Sequence, residues 1–214
     1  MNRLEASTRS ESRWPVIVGI IALLTLLQFE PGRLHVMPSW FPYAAGVVLV
    51  IPMLGVTLTR RPAFMRLERA IIYLFVVLSV VLMTLTLERL IYAIISPTMP
   101  IGGNQLLASA VSIWVINVFA FGLLYWQVDR GGPDARASGH DRPPEILFPQ
   151  GSEETRRPYS FIDYVFYAFA ISTAFSPAEM FPDTARMKVL MMFQSAISLV
   201  TIIVVASRAI NVLK

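Results

Sequence analysis

Residues 70–95 read AIIYLFVVLSVVLMTLTLERLIYAII, and this stretch decides the class of fold. Its only charged residues are Glu88 and Arg89. A helix rises 1.5 Å per residue, so about 20 apolar residues cross the roughly 30 Å hydrocarbon core of a bilayer. Ala70–Ile95 is therefore long enough to cross a membrane as one helix.

Five further apolar runs lie on either side of this stretch. Three of them also read as spanning helices, namely Trp14–Phe29, Trp40–Leu58 and Gln105–Trp126. Phe161–Pro177 is short and contains Asp163, whereas Val189–Val212 is interrupted only by Arg208. The pattern predicts an all-α polytopic membrane protein with six transmembrane helices, or with five helices and a re-entrant segment at Phe161–Pro177.

The composition supports a membrane protein and excludes several chemistries. Hydrophobic residues make up 55% of the 214 positions and charged residues 15%, whereas soluble domains carry about 25% charged residues. The absence of cysteine excludes disulfides, zinc–thiolate sites and cysteine nucleophiles. The two histidines, His35 and His140, lie in loops, and no metalloprotease, dinucleotide-binding, P-loop or serine-hydrolase motif appears. We therefore expect no enzyme activity, no cofactor and no resident metal.

The N-terminal run could be a signal peptide or an uncleaved first span. Arg3, Arg9 and Arg13 precede it, as in a signal peptide, but no small-x-small cleavage site follows it. We read it as an uncleaved span. The predicted organisation is a four-helix transmembrane region at 1–127, a cytoplasmic loop at 128–160 and a two-helix, pore-loop-like region at 161–214.

Basic residues set the predicted orientation, because cytoplasmic loops collect arginine and lysine. With six spans and the N-terminus inside, 14 of the 18 basic residues lie inside, including Arg208, and Arg33, Arg186 and Lys188 lie outside. The prediction is a bacterial inner-membrane protein with both termini cytoplasmic. Since the basic residues flank the spans, the high pI does not indicate nucleic-acid binding.

The segment between Gln127 and Ser160 differs from the rest of the chain. It is rich in proline, glycine and charge, without sustained periodicity, which is typical of a partly disordered surface loop. Its one apolar patch, Ile146–Pro149, either docks on the membrane or a neighbouring subunit, or is simply solvated.

Several polar residues inside the spans are candidates for function. Glu88 and Arg89 are adjacent and point about 100° apart, so they cannot share one partner face. They form either a transport-related network or a structural pair in which Arg89 reaches the outer headgroups. Asn117 is expected to hydrogen-bond to another helix. Asp163 and Arg208 are expected at the same inner depth, where an ion pair would join the last two helices.

The last quarter of the chain resembles the pore module of potassium-channel-type proteins. Aromatic residues 161–169 are followed by a small-polar stretch that includes Thr173, then by an acid-x-x-Pro-x-Thr element at 179–184 and the basic residues Arg186 and Lys188. The resemblance implies a pore helix, a filter and an inner helix, with acids at the outer rim. Ser176, Pro177 and Ala178 replace the glycine-containing filter, so a conventional potassium filter is not expected.

The chain also resembles a widespread bacterial family of uncharacterised multi-spanning membrane proteins. The shared stretches are WVIN at 114–117, FAF at 119–121, YWQVDRGGP at 125–133, FPQ at 148–150, DY at 163–164, TAFSP at 173–177 and RAIN at 208–211. They extend over the last half of the chain and weakly over the first. This resemblance implies no particular activity.

Two classes of function follow. The leading hypothesis is an ion-channel-like or small-solute permeation protein, forming a homo-oligomer in the lipid bilayer, with a pore near residues 161–211 and an inorganic ion as a candidate permeant. The alternative is a non-transporting membrane scaffold or partner-binding subunit. The candidate permeation or network residues are Glu88, Arg89, Asn117, Asp163, Thr173, Ser176, Glu179, Asp183, Gln194 and Arg208.

Overall fold

The structure is a computed structural model, all-α apart from two short strands. It describes residues 13–27, 40–59, 62–95, 102–138, 142–148, 159–173 and 180–212. The helices are α1 (Trp14–Leu27), α2 (Phe41–Thr59), α3 (Pro62–Ile95), α4 (Gly103–Val128), α5 (Pro133–Ser138), α6 (Phe161–Ser172) and α7 (Ala185–Val212). The strands are β1 (Ile146–Leu147) and β2 (Phe181–Pro182), and a 3-10 turn (Asp129–Gly131) follows α4.

Three helices within the described part of the chain are long and apolar enough to cross a membrane. They correspond to α3, α4 and α7, and their apolar spans run over Ala63–Tyr92, Asn104–Ser138 and Ala185–Ala206. The stretches Tyr43–Thr59 and Phe161–Ser172 are shorter apolar helices. The structure thus agrees with an all-α membrane protein, while a count of six spanning helices is not confirmed.

All six apolar runs of the sequence form helices, but α3 begins earlier than its apolar run. It starts at Pro62, where a proline fits the first helical position because its missing N–H needs no partner there. Arg66, Glu68 and Arg69 therefore lie on the first two turns of the helix rather than in a loop. This early start places a buried carboxylate, Glu68, against the neighbouring helices.

The bundle is built around α4, which contacts α1, α3, α6 and α7. α4 and α7 are antiparallel, since Tyr125 near the end of α4 bonds to Gln194 near the start of α7, while Asn117 bonds to Ser198. Helices α4 and α6 approach closely at Gly122, where an added Cβ would lie 3.2 Å from the Cα of Val165. The largest buried side chains are therefore those of α4 and α6, such as Trp126, Tyr125, Tyr164 and Tyr167.

One end of the bundle carries most of the charge, and we call it the charged end. It is defined by Arg13, Arg69, Asp129, Glu145 and Arg186, which are linked by the contacts described below. Eight of the ten basic residues in the described part of the chain lie at this end. The other two lie toward the opposite, far end.

Strands β1 and β2 pair antiparallel at the charged end. Ile146 is the partner of Pro182 and Leu147 is the partner of Phe181, and the Asp183 N–H donates to the Glu145 carbonyl at 2.9 Å. The residues before α6 and those after it therefore lie on the same side of the bundle. A helix that crossed the bundle would place β1 and β2 at opposite ends, where they could not pair.

This pairing bears on the prediction of six spans, which the structure does not confirm. α6 has 12 residues, a rise of about 18 Å, which is too short to cross the core. Its C-terminal end lies beside Trp114, whose indole N–H points at the Ser172 carbonyl, about halfway along α4. The geometry matches the alternative of five helices plus a re-entrant segment.

The strand pairing also changes where Asp183 and the end of α7 are placed. Asp183 was expected on the face opposite the 128–160 loop, and it lies on the same face as that loop. α7 starts at the charged end, so its last residues lie at the far end, whereas Arg13 before α1 lies at the charged end. Arg13 and the last turn of α7 thus lie at opposite ends of the bundle, and the expectation that both termini share one side is not confirmed.

The loop prediction for Gln127–Ser160 also needs correction where the structure describes it. Asp129 is fully buried, and Ile146 and Phe148 are 1% and 8% exposed. Phe148 stacks on Tyr159 and meets the edge of Tyr164. The apolar patch therefore docks on the bundle of its own chain, and only Leu147 of its described residues is exposed.

Candidate functional site

Asp129 is the buried anchor of the charged end. Its Oδ1 accepts the backbone N–H groups of Glu145 and Ile146 at 2.8 and 3.3 Å, and its Oδ2 accepts the Tyr164 hydroxyl at 2.7 Å. A buried carboxylate is tolerated only when its lone pairs are satisfied. One side chain thus joins the end of α4, strand β1 and helix α6.

Arg136 caps the C-terminal end of α4. Its Nη1 donates to the carbonyls of Trp126 and Asp129 at 3.0 and 2.7 Å, which takes up carbonyls that the helix itself leaves free. Its guanidinium also lies 5.2 Å from the centre of the Tyr164 ring, a cation–π contact. The cation thereby complements the negative end of the helix dipole.

The turn after α4 needs its two glycines. Arg130, Gly131 and Gly132 have φ values of 54°, 85° and 97°, in the left-handed region. At Gly132 an added Cβ would lie 3.0 Å from the Gln127 carbonyl, so the position has neither the conformation nor the space for a side chain. The sequence Arg-Gly-Gly-Pro at 130–133 thus reverses the chain so that α5 packs back against the bundle.

Glu145 holds the start of α7 at the charged end. Its carboxylate accepts the Arg186 guanidinium, with Nε at 3.2 Å from Oε2, and lies 3.3 Å from the Thr184 hydroxyl. The Thr184 oxygen in turn lies 3.3 Å from the backbone N–H of Met187, in the first turn of α7. The start of α7 is therefore held to strand β1 by both main-chain and side-chain bonds.

A second buried ion group links α1, α3 and α5. Arg13 is 3% exposed and pairs with Asp134, while its Nε lies 3.5 Å from Oε1 of Glu68. Glu68 is 1% exposed, and neither of its carboxylate oxygens accepts a hydrogen bond from a described residue. Arg13 is therefore the main compensation for a carboxylate that would otherwise be buried alone.

Within the apolar part of the bundle, Gln194 is the centre of a polar network. Its Nε2 donates to the Ala168 carbonyl at 2.7 Å and to the Ser172 hydroxyl at 2.9 Å, both on α6. Its Oε1 accepts the Tyr125 hydroxyl of α4 at 2.7 Å. The amide is fully buried, and it connects three helices.

Asn117 extends this network by one turn. Its Nδ2 donates to the Ser198 hydroxyl at 2.7 Å and to the Gln194 carbonyl at 3.3 Å, so it bonds across to α7 as a buried amide was expected to do. Its Oδ1 has no partner among the described residues. Apart from Asn117 Oδ1, the polar side-chain groups of Gln194 and Asn117 are therefore bonded between helices.

The buried end of α6 has its own partners. Trp114 Nε1 donates to the Ser172 carbonyl at 3.4 Å, and the Thr173 hydroxyl lies 3.0 and 3.2 Å from the carbonyls of Phe169 and Ala170. Gln194 takes the carbonyl of Ala168. A half-helix that ends inside a bilayer leaves carbonyls that need such donors.

The other candidate residues do not join this network. Glu88 and Arg89 are both exposed on α3, without an ion partner in the described part of the chain, which fits side chains that reach the headgroups. Asp183 is exposed at the charged end. Ser176 and Glu179 lie outside the described residues, as does the filter-like stretch 176–178.

The expected pair of Asp163 and Arg208 is wrong. Asp163 caps α6, since its Oδ2 accepts the Ser160 N–H at 2.8 Å and lies 3.0 Å from the Ser160 hydroxyl. Arg208 follows the start of α7 by a rise of about 35 Å, which places it toward the far end. The two residues lie at opposite ends because α6 does not cross the bundle.

Sequence reasoning missed the residues that organise the charged end, namely Glu68, Asp129, Arg136, Glu145 and Tyr164. A signal for Asp129 was present, because an acid directly before Arg-Gly-Gly-Pro is typical of a tight turn. No local signal identifies Glu68, which reads as one charge among several beside a span. Its burial depends on Arg13, which is distant in sequence.

Comparison with known proteins adds nothing to this geometry. No protein-family model matches the chain, and no curated protein or solved structure matches it. No group of three or more histidine, cysteine or acidic side chains in the described ranges is placed to hold a metal ion.

Proposed function

We propose that this chain is a non-transporting membrane scaffold or partner-binding subunit. The observation that supports this best is the pairing of its intramembrane polar groups. Gln194, Asn117 and Ser172 bond to neighbouring helices of the same chain. A pore instead requires polar groups that face a common water-filled axis.

The end of α6 supports the same proposal. In transporters, the ends of broken helices bind ions through free backbone carbonyls. Here the carbonyls of Ala168, Phe169, Ala170 and Ser172 are approached by donors from Gln194, Thr173 and Trp114. These carbonyls accept hydrogen bonds within the chain and are not left free for a permeating ion.

We further propose five spanning helices, with the charged end in the cytoplasm. Eight of the ten described basic residues lie at that end, as the positive-inside rule expects of cytoplasmic segments. The first span then starts inside and α7 ends outside. In this role the charged end is a cytoplasmic surface on which a partner subunit can be held.

Permeation is the competing function, and one observation favours it. A re-entrant half-helix is common where backbone lines a water-filled cavity in a membrane protein. If copies of this chain surrounded such a cavity, Thr173 at the end of α6 would be the described polar residue placed to face it.

Ion flux in liposomes distinguishes the two functions. The purified full chain is reconstituted and tested with a panel of cations and anions, beside Gln194→Leu and the surface variant Ala196→Leu. The scaffold proposal expects flux no higher than in protein-free liposomes for all three proteins. Flux by the wild type that Gln194→Leu alters and Ala196→Leu does not would overturn it.

A further inference from the structure

Three arginines meet around the turn that follows α4, and we call them the arginine cradle: Arg69, Arg130 and Arg142. Arg69 Nη2 donates to the Gly131 carbonyl at 2.9 Å, and the Arg142 backbone N–H donates to the Arg130 carbonyl at 3.1 Å. Residues of α3 and of the loop before β1 are thus hydrogen-bonded to the turn that follows α4.

The two glycines of the turn bring these side chains close. A Cβ on Gly131 would lie 3.8 Å from both Cγ and Cδ of Arg142. A Cβ on Gly132 would lie 3.4 Å from Nη2 of Arg69. Arg69 and Arg142 therefore both approach this turn, and both are exposed, whereas Gly132 itself is buried.

The described acids near the cradle neutralise it only in part. Asp129 is buried and accepts three hydrogen bonds from other groups, with Arg130 Nε at 3.9 Å. Asp134 is paired with Arg13, and Glu68 is buried on the side of Arg13. Arg69 uses one of its five N–H donors on the turn, and the guanidinium of Arg142 bonds to nothing in the described ranges.

The depth of the cradle indicates what it meets. Arg69 directly precedes the apolar run that starts at Ala70, and Arg130 follows the last residue of α4, Val128, by two positions. In the five-span arrangement proposed above, both arginines lie near the border between the hydrocarbon core and the headgroups. Guanidinium groups bind phosphate through paired N–H donors. A leaflet that contains anionic lipids has a negative surface potential, which attracts basic residues close to it.

We propose that the arginine cradle binds the phosphate of an anionic phospholipid in the leaflet at the charged end. The lipid phosphate lies on the outer side of the turn, against the exposed side chains of Arg69 and Arg142. Its phosphate supplies the negative charge that the buried acids of this end do not. This site is independent of whether the protein conducts ions.

The test measures lipid preference in liposomes that contain the full chain. Spin-labelled phosphatidylglycerol and spin-labelled phosphatidylcholine are compared by the fraction of label that the protein immobilises. The wild type should prefer phosphatidylglycerol. Arg69→Gln combined with Arg142→Gln should lower that preference by about fivefold or more, as expected from the contribution of a basic residue near an anionic surface.

The matched control is Arg89→Gln combined with Lys188→Gln. It removes the same net charge from two exposed residues outside the cradle and should keep the preference. Arg142→Gln alone is the second variant, because its side chain makes no bond whose loss would unfold the described part of the protein. If the control loses the preference as much as the cradle variant, or the wild type has none, the proposal is wrong.

Inorganic phosphate separates a lipid from a soluble anion. At equal ionic strength, phosphate competes for the same guanidinium groups and should weaken the phosphatidylglycerol preference of the wild type more than chloride does. If the wild type shows no phosphatidylglycerol preference in chloride but binds inorganic phosphate, and the cradle variant does not, the cradle binds a free phosphate ion and the lipid assignment is overturned.

Discussion

The hydroxyl of Tyr164 donates to the carboxylate of Asp129 at 2.7 Å, between two residues that are both fully buried. Tyr164 lies in the first turn of α6, and Asp129 follows the last residue of α4. The bond fixes where the half-length helix enters the bundle. Since Asp129 also accepts two N–H groups at β1, the entry point of α6 and the strand pair are set by one carboxylate.

The first prediction concerns this bond. Tyr164→Phe should lower the free energy of unfolding by about 1.5–3 kcal/mol, because a buried carboxylate loses one of its donors. Tyr159→Phe is the matched control, since the Tyr159 ring stacks on Phe148 but its hydroxyl has no partner in the described ranges. Unfolding in detergent, followed by tryptophan fluorescence, measures both. Equal losses for the two variants would mean that the bond to Asp129 stabilises nothing.

The second prediction concerns the buried ion group of Arg13 and Glu68. Arg13→Met should cost about 3–5 kcal/mol, by analogy with soluble proteins, because it leaves Glu68 buried without its cation. Adding Glu68→Gln to Arg13→Met should recover much of the loss, since the remaining amide is neutral. A double-mutant cycle on the unfolding free energies gives the coupling. Additive losses would show that the two residues act separately.

The third prediction separates the five-span topology from six spans. The chain has no cysteine, so single cysteines can be placed without background. With the charged end in the cytoplasm, Ser138→Cys and Asp183→Cys should both resist a membrane-impermeant thiol reagent in intact cells. Gly102→Cys, at the far end, should react. Labelling of Asp183→Cys without labelling of Ser138→Cys would restore six spans.

The fourth prediction concerns the close approach of α4 and α6. Gly122→Leu should destabilise the protein by at least about 1–3 kcal/mol, because the added atoms overlap the Val165 backbone and push α6 away. Gly102→Leu should be nearly neutral, since nothing lies within 4 Å of an added Cβ there. The comparison uses thermal unfolding in detergent. A stable Gly122→Leu protein would contradict the close helix contact.

The positions of the helices could be predicted from the sequence, because apolar length is a local property. The path of the chain between them could not. The run at 161–177 has enough apolar residues to be read as a span, and nothing local shows that α6 ends at Ser172. What determines its path is the bond of Glu145 with Asp183, 38 positions further along the chain.

The basic residues could not decide the question either. With a re-entrant α6, Arg186 and Lys188 move to the charged end while Arg208 moves to the far end. The excess of positive charge on one side is therefore almost the same for both topologies. For the candidate site, Asn117 and Gln194 were identifiable as polar residues within apolar runs, whereas Asp129 gained its role only through contacts with Glu145, Ile146 and Tyr164.

The short length of α6 has a consequence for biosynthesis. A segment of 12 helical residues is too short for the insertion machinery to retain as an independent span, and its free carbonyl end is unfavourable in lipid. It can enter the membrane stably only after α4 and α7 are there to supply Trp114 and Gln194 as donors. With the topology proposed above, its insertion is therefore a late step of folding, made from the cytoplasmic side after α7 has been synthesised.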